Sequence, residues 1–132
     1  MRRVGLLQVA GVEVPVFTVT RQWLEDALGP GLDPKGIFIY DAPAILLRND
    51  LAQSMLRVTI LHELSHAAFA ILSRSLGLKE IHEDCGEDHD NDSVREEFAC
   101  EASAQAVAQN WMEIERITKA AYRPPLKRRK KC

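Results

Sequence analysis

Apolar and polar positions along this 132-residue chain first repeat as in strands and later as in helices. The opening "RVGLLQVAGVEVPVFTVT" is rich in Val, Phe and Thr and is interrupted at Ala10-Gly11, which predicts two short strands joined by a turn. Residues 21–29, "RQWLEDALG", place Trp23, Leu24, Ala27 and Leu28 at helical spacing, and "GPGLDPKG" ends the helix in an irregular loop. Two further apolar runs, residues 37–40 and 44–47, flank Asp41-Ala42-Pro43 and read as strand, tight turn and strand.

The period then becomes that of a helix. Asp50 followed by Gln53 has the form of a capping box, and Leu56, Ile60, Leu64, Ala67, Ile71, Leu72 and Leu76 continue the pattern until Gly77. One helix over about residues 51–76, roughly 39 Å long at 1.5 Å per residue, is expected. The acidic stretch "KEIHEDCGEDHDNDS" predicts a surface loop, and a last helix is expected over residues 93–122, with Ser93 and Glu96 as a second capping box. Pro124-Pro125 stops it. The expectation is one α+β domain over residues 1–122 and a disordered basic tail over 123–132.

Composition sharpens this picture at two points. Seventeen Lys and Arg face nineteen Asp and Glu, but five of the basic residues lie together at Lys127–Lys131, leaving twelve against nineteen in the body. An acidic body with a basic tail results, and the tail offers weak contact with nucleic acid or another anionic surface. Cys85, Cys100 and Cys132 make no regular framework, and Gly, Glu and Pro break the amino-terminal segment before a long apolar run develops. These features predict a cytoplasmic protein with reduced thiols and no membrane segment, and Cys100 among small neighbours reads as a buried apolar residue.

The candidate chemistry lies in "TILHELSHAAF", in the middle of the long helix. Residues four apart share a helix face, so His62 and His66 can offer both imidazoles to one ion, while Glu63 reaches a water beside it. Zinc in a hydrolytic site takes three protein ligands and a water whose pKa falls to about 7, and a neighbouring carboxylate can then take its proton. The apolar flanks predict a buried helix, in which two unpartnered imidazoles would be costly. A bound metal would supply the partner.

A third ligand must come from elsewhere. Phe69 and Leu72 stand where a metzincin needs Gly and His, so that class is excluded. "REEFACEASAQAVAQNW" offers Glu96, Glu97 and Glu101. At 100° per residue Glu97 and Glu101 share a side with Val94, Phe98 and Met112, which favours Glu97 as ligand and Glu101 as hydrogen-bond acceptor from a ligating histidine, with Glu96 and Glu101 as alternative ligands.

"TILHELSHAAFAI" followed by "EEFACEASA" resembles the gluzincin-type metallopeptidases, in particular the small ImmA/IrrE-like proteins of phages and mobile elements. The resemblance spans roughly residues 37–109. Cys100 departs from it, standing where Asn or Asp is usual, and the Leu-Met-Pro ending of the second motif is absent. The resemblance implies a zincin-like fold: a small twisted antiparallel or mixed sheet packed on a long active-site helix, with a second, C-terminal helix behind. It implies a zinc metallopeptidase acting on a protein or peptide, with His62 and His66 as zinc ligands, Glu63 as general base and a glutamate of the second motif as third ligand, where Glu96 with Ala99 fits the family's phase and Glu97 with Glu101 fits a Glu-x-x-x-acid phase. It also implies a sheet-edge strand that binds extended substrate, for which residues 44–47 are the candidate.

The alternative is a catalytically silent zinc-binding interaction module on the same scaffold. Retention of Glu63 argues against it, because a structural site needs no base. His82, Cys85 and His89 offer a second metal site or a polar loop, and Tyr40 and Tyr122 are candidate donors to a developing oxyanion.

Overall fold

A computed structural model describes residues 1–75 and 89–125, with side chains described over 1–74 and 100–125. The described residues form an α+β fold of four strands and three helices in the order β1 (Arg2–Val9), β2 (Val12–Val19), α1 (Arg21–Leu28), β3 (Gly36–Ile39), β4 (Ala44–Arg48), α2 (Gln53–Ser75) and α3 (His89–Ala121). Both predicted strand pairs and the short helix form where the apolar pattern places them. Ala10 and Gly11 turn the first hairpin with φ of 48° and 79°, the left-handed conformation that a tight two-residue connection requires. Thr20 accepts a hydrogen bond from the Trp23 backbone N–H to start α1, and Gly29, at φ 104°, ends it.

The sheet order is β1-β2-β4-β3, with β2 and β4 parallel and the two outer pairs antiparallel. Residues 44–47 are therefore not an edge. They lie between β2 and β3, and Ala44, Ile45, Leu46 and Leu47 are all buried, because an interior strand is covered on both faces and needs an unbroken apolar run. Ile45 and Leu47 point into the main core beneath α2 and α3, while Leu46 joins Val19 and Leu24 under α1 on the opposite face. Among the described residues the outer strands are β1 and β3.

The two long helices begin differently from expectation. Asp50 accepts a hydrogen bond from Arg48 Nε instead of capping a helix, and α2 starts at Gln53. Helix α3 starts at His89, four residues before the expected start, so Ser93 lies inside it; the side chains of the expected second capping box, Ser93 and Glu96, lie outside the described ones. Its buried stripe is Ala102, Ala106, Asn110, Ile114, Ile117 and Ala121, whereas Glu101 and Met112 are exposed. The bulk of Met112 misleads here; small alanines let α3 approach its neighbours closely and so define the inward face. Cys100 is exposed as well, contrary to its expected burial.

Helices α2 and α3 are clasped by Arg57, whose guanidinium meets both carboxylate oxygens of Glu115 at 2.8 and 3.2 Å. By length and composition α2 could cross a bilayer, but in this fold it is the central helix, with Leu56, Ile60, Leu64, Ala67 and Ala68 in the main core.

Candidate functional site

The outward side of α2 carries the two histidines. His62 and His66 are both exposed, so the cost of burying imidazoles does not arise; the solvent-facing side of an otherwise core helix holds them. Their Nε2 atoms approach to 3.1 Å, and the rings meet edge to face with centroids 4.8 Å apart. With one ring as the Nε2–H tautomer this contact is a hydrogen bond. It is also the spacing a shared tetrahedral ion needs, since two Zn–N bonds of about 2.0–2.1 Å place their nitrogens roughly 3.3 Å apart.

Glu63 is the buried member of the motif, 7% exposed. Burial pushes its carboxyl above the ordinary glutamate range, opposed by the nearby imidazoles of His62 and His66 and by a backbone hydrogen bond from Phe38. That last partner belongs to β3. Because Lys35 O accepts from Arg48 N, the antiparallel pairing register points the Phe38 N–H away from β4, toward the free edge. The helix carboxylate thus holds the edge strand through its outward-facing amide.

Gly36 permits this approach. A Cβ there would lie 2.8 Å from Thr59 Cγ2, 2.9 Å from the Leu46 carbonyl oxygen and 3.4 Å from Glu63 Cγ. Thr59 is itself buried and donates to the Met55 carbonyl at 2.7 Å. The gap between strand and helix opens into a groove of about 340 Å³, with Lys35 and Gly36 on the strand side, Met55, Val58 and Thr59 on the helix side, and His62 and Glu63 at its wall. Gly36, Thr59, Lys35 and the Phe38 amide escaped the sequence reading. The only signal was a glycine at a strand start.

No family model, curated protein or solved structure matches the chain significantly. The resemblance therefore rests on the residues alone.

The remaining candidates are placed as follows. Among the described residues no further His, Cys, Asp or Glu completes a metal-holding group with His62 and His66, and exposed Glu101 does not join them. Glu96 and Glu97 lie outside the described side chains, as do His82, Cys85 and His89, and the Lys127–Lys131 cluster lies outside the described residues. Tyr40 stacks edge to face on Phe38 at 5.0 Å and lines a second groove of about 360 Å³ with Pro43, Ile71 and Arg74. Tyr122 is half-buried against the main core.

Proposed function

We propose that the chain is a zinc-dependent metallopeptidase of zincin-like fold, acting in the cytoplasm on extended segments of a protein partner. The observation that carries this reading is the arrangement of three side chains on α2: two imidazole nitrogens 3.1 Å apart in the open and one buried carboxylate beside them, at the wall of a groove that opens beside the start of the edge strand β3. The donors suit the ion, because exposed neutral imidazoles are common zinc ligands and zinc tolerates the tetrahedral spacing they present. His62 and His66 would hold zinc, with Glu97 as the third ligand.

Zinc bound there would supply a Lewis acid for a scissile carbonyl and lower the pKa of water. The chain's own residues do the rest. Glu63, whose burial raises its affinity for a proton, accepts one as a carboxylate from the attacking water and returns it to the leaving amine. The Phe38 hydrogen bond restrains its carboxylate, so the base is oriented before substrate arrives. The edge of β3, in place of β4, is the strand to which an extended substrate adds.

Elemental analysis of zinc per chain tests the reading, run on wild type beside Glu96→Ala, Glu97→Ala and Glu101→Ala. About one zinc per wild-type chain, lost selectively in Glu97→Ala, is the expected result. Folded wild type that takes up no zinc when supplied with it would overturn the peptidase reading. Zinc bound without hydrolysis of any peptide would turn it toward a silent interaction module.

A further inference from the structure

Strand β3 is short, and its outward backbone groups are few. Among the described residues no strand lies beyond it. The register that sets Lys35 O against Arg48 N makes Gly36 and Phe38 the residues of β3 whose N–H and C=O groups point away from β4. The four-residue strand therefore offers an added chain only these two amide donors. Among the described residues nothing engages the Gly36 donor, whereas the Phe38 donor is taken by the Glu63 carboxylate.

Packing keeps that carboxylate on the strand. A Cβ at Gly36 would lie 3.4 Å from Glu63 Cγ, and Glu63 is buried, so its side chain leaves α2 directly against β3. The imidazoles of His62 and His66 lie near enough to act on its charge, which gives the carboxylate a second place to turn. An acceptor of the protein's own thus stands where a chain laid along β3 would set a carbonyl. An amide N–H has a single hydrogen to give, so the two acceptors compete for it.

We infer that an extended chain adding to β3 displaces Glu63 from the Phe38 amide, so that filling the strand edge and releasing the general base are one exchange. The inference rests on the reading of β3 as the substrate strand. In the free protein the hydrogen bond holds the carboxylate in place and guards the edge against other strands. When a chain arrives, its carbonyl accepts from Phe38 instead, and the carboxylate is released toward the histidines. Glu63 therefore opposes binding as a competing acceptor, at a cost to the incoming chain of about one net hydrogen bond, or about three- to tenfold in affinity.

Binding to chelator-treated, ¹⁵N-labelled full-length protein tests the exchange without turnover. The probe is an acetylated and amidated hexapeptide of alternating Thr and Val, titrated into wild type, Glu63→Ala and Glu63→Gln. Glu63→Ala, which leaves the Phe38 amide open, is expected to bind it about three- to tenfold more tightly than wild type. Glu63→Gln should fall between the two, because its neutral oxygen still accepts but more weakly than a carboxylate, and it carries the comparison with wild type should the alanine variant fail to fold. Without peptide, hydrogen exchange at Phe38 should be faster in Glu63→Ala than in wild type, and saturating peptide should slow it again.

Equal affinity in wild type and both variants, with the peptide shifting the Gly36 and Phe38 amides, would overturn the exchange and leave β3 as the substrate strand. Phe38 exchange unchanged by Glu63→Ala would overturn it too, since Glu63 would not be guarding that amide. Binding that leaves both amides unmoved, or no binding by any of the three proteins, would overturn the exchange and the substrate strand together. The same peptide offered to zinc-supplied wild type separates the claims: tighter binding by Glu63→Ala without any hydrolysis by wild type removes the peptidase reading and leaves the exchange at Phe38 standing.

Discussion

The two free edges of the sheet are treated in opposite ways. Along β1, helix α3 lies against the outer strand, and the buried Asn110 side chain acts as a substitute neighbour: its Oδ1 accepts from Gln8 N at 2.8 Å while its Nδ2 donates to Gln8 O at 2.7 Å and to Ala106 O at 2.7 Å. Along β3 one carboxylate, Glu63, takes up the Phe38 amide, and a groove runs beside it. Exposed strand edges invite pairing with other chains, so folds usually cover them. Among the described residues the β1 edge is covered by α3 and the β3 edge has no further strand beside it, and on the reading proposed above β3 is where an extended chain would be received.

Breaking the sealed edge should have the largest effect. Asn110→Ala removes three hydrogen bonds at once, two of them to the part-buried Gln8 backbone, an expected loss of about 3 kcal/mol in unfolding free energy. Denaturant titration measures it, and hydrogen exchange at the Gln8 amide should accelerate while that at Phe38 stays unchanged. If Gln8 exchange were unaffected, the asparagine would not be what closes β1. The second seal on this side is steric: a Cβ at Gly5 would collide with Ile117 Cγ1, so β1 and α3 touch where a side chain would part them.

Breaking the open edge should cost less and move the other probe. Gly36→Ala sets a methyl against Thr59 Cγ2 and the Leu46 carbonyl oxygen, which the strand can relieve only by leaving α2. About 2 kcal/mol is expected, with faster exchange at Phe38 and none of the change at Gln8. Adding Thr59→Ser, which deletes the crowding methyl and keeps the hydroxyl, should restore part of the loss. The carbonyl contact remains, so full rescue would mean that Leu46 has no share in the crowding.

These two edges also show how far the chain could be read beforehand. The strands, the short helix and the i, i+4 histidine pair follow from local period and spacing, and local rules were enough for them. Which strand is an edge is a matter of topology. Even so, the unbroken Ala44–Leu47 run carried the signal of an interior strand, and taking it for the substrate strand passed over that. The inward face of α3 was misread for a related reason: alanine stripes mark close helix packing better than a single Met112 does. The buried state of Glu63 and the exposed state of its histidine neighbours depend on where β3 lies, which no periodicity in α2 encodes.

The smallest effect sharpens the comparison most, because it isolates the carboxylate that joins helix to open edge. Burial raises the Glu63 carboxyl above its ordinary value of 4.5, so the folded state holds this proton more tightly than the unfolded chain does. Below pH 4.5 both states are protonated and the group is neutral in the balance; above it the unfolded chain ionises while the folded state keeps its proton, so stability falls until the pH has passed the folded pKa and is level beyond it. Glu63→Gln keeps an oxygen to accept from Phe38 and removes that charge. In chelator-treated protein it should therefore raise the melting temperature at pH 7 and leave it nearly unchanged at pH 4. Asn110→Ala, which titrates nothing, should lower it at both. A Gln variant less stable than wild type at pH 7 would mean that the ionised carboxylate is held favourably by its imidazole neighbours and the Phe38 amide, making the open edge as firmly fastened as the sealed one.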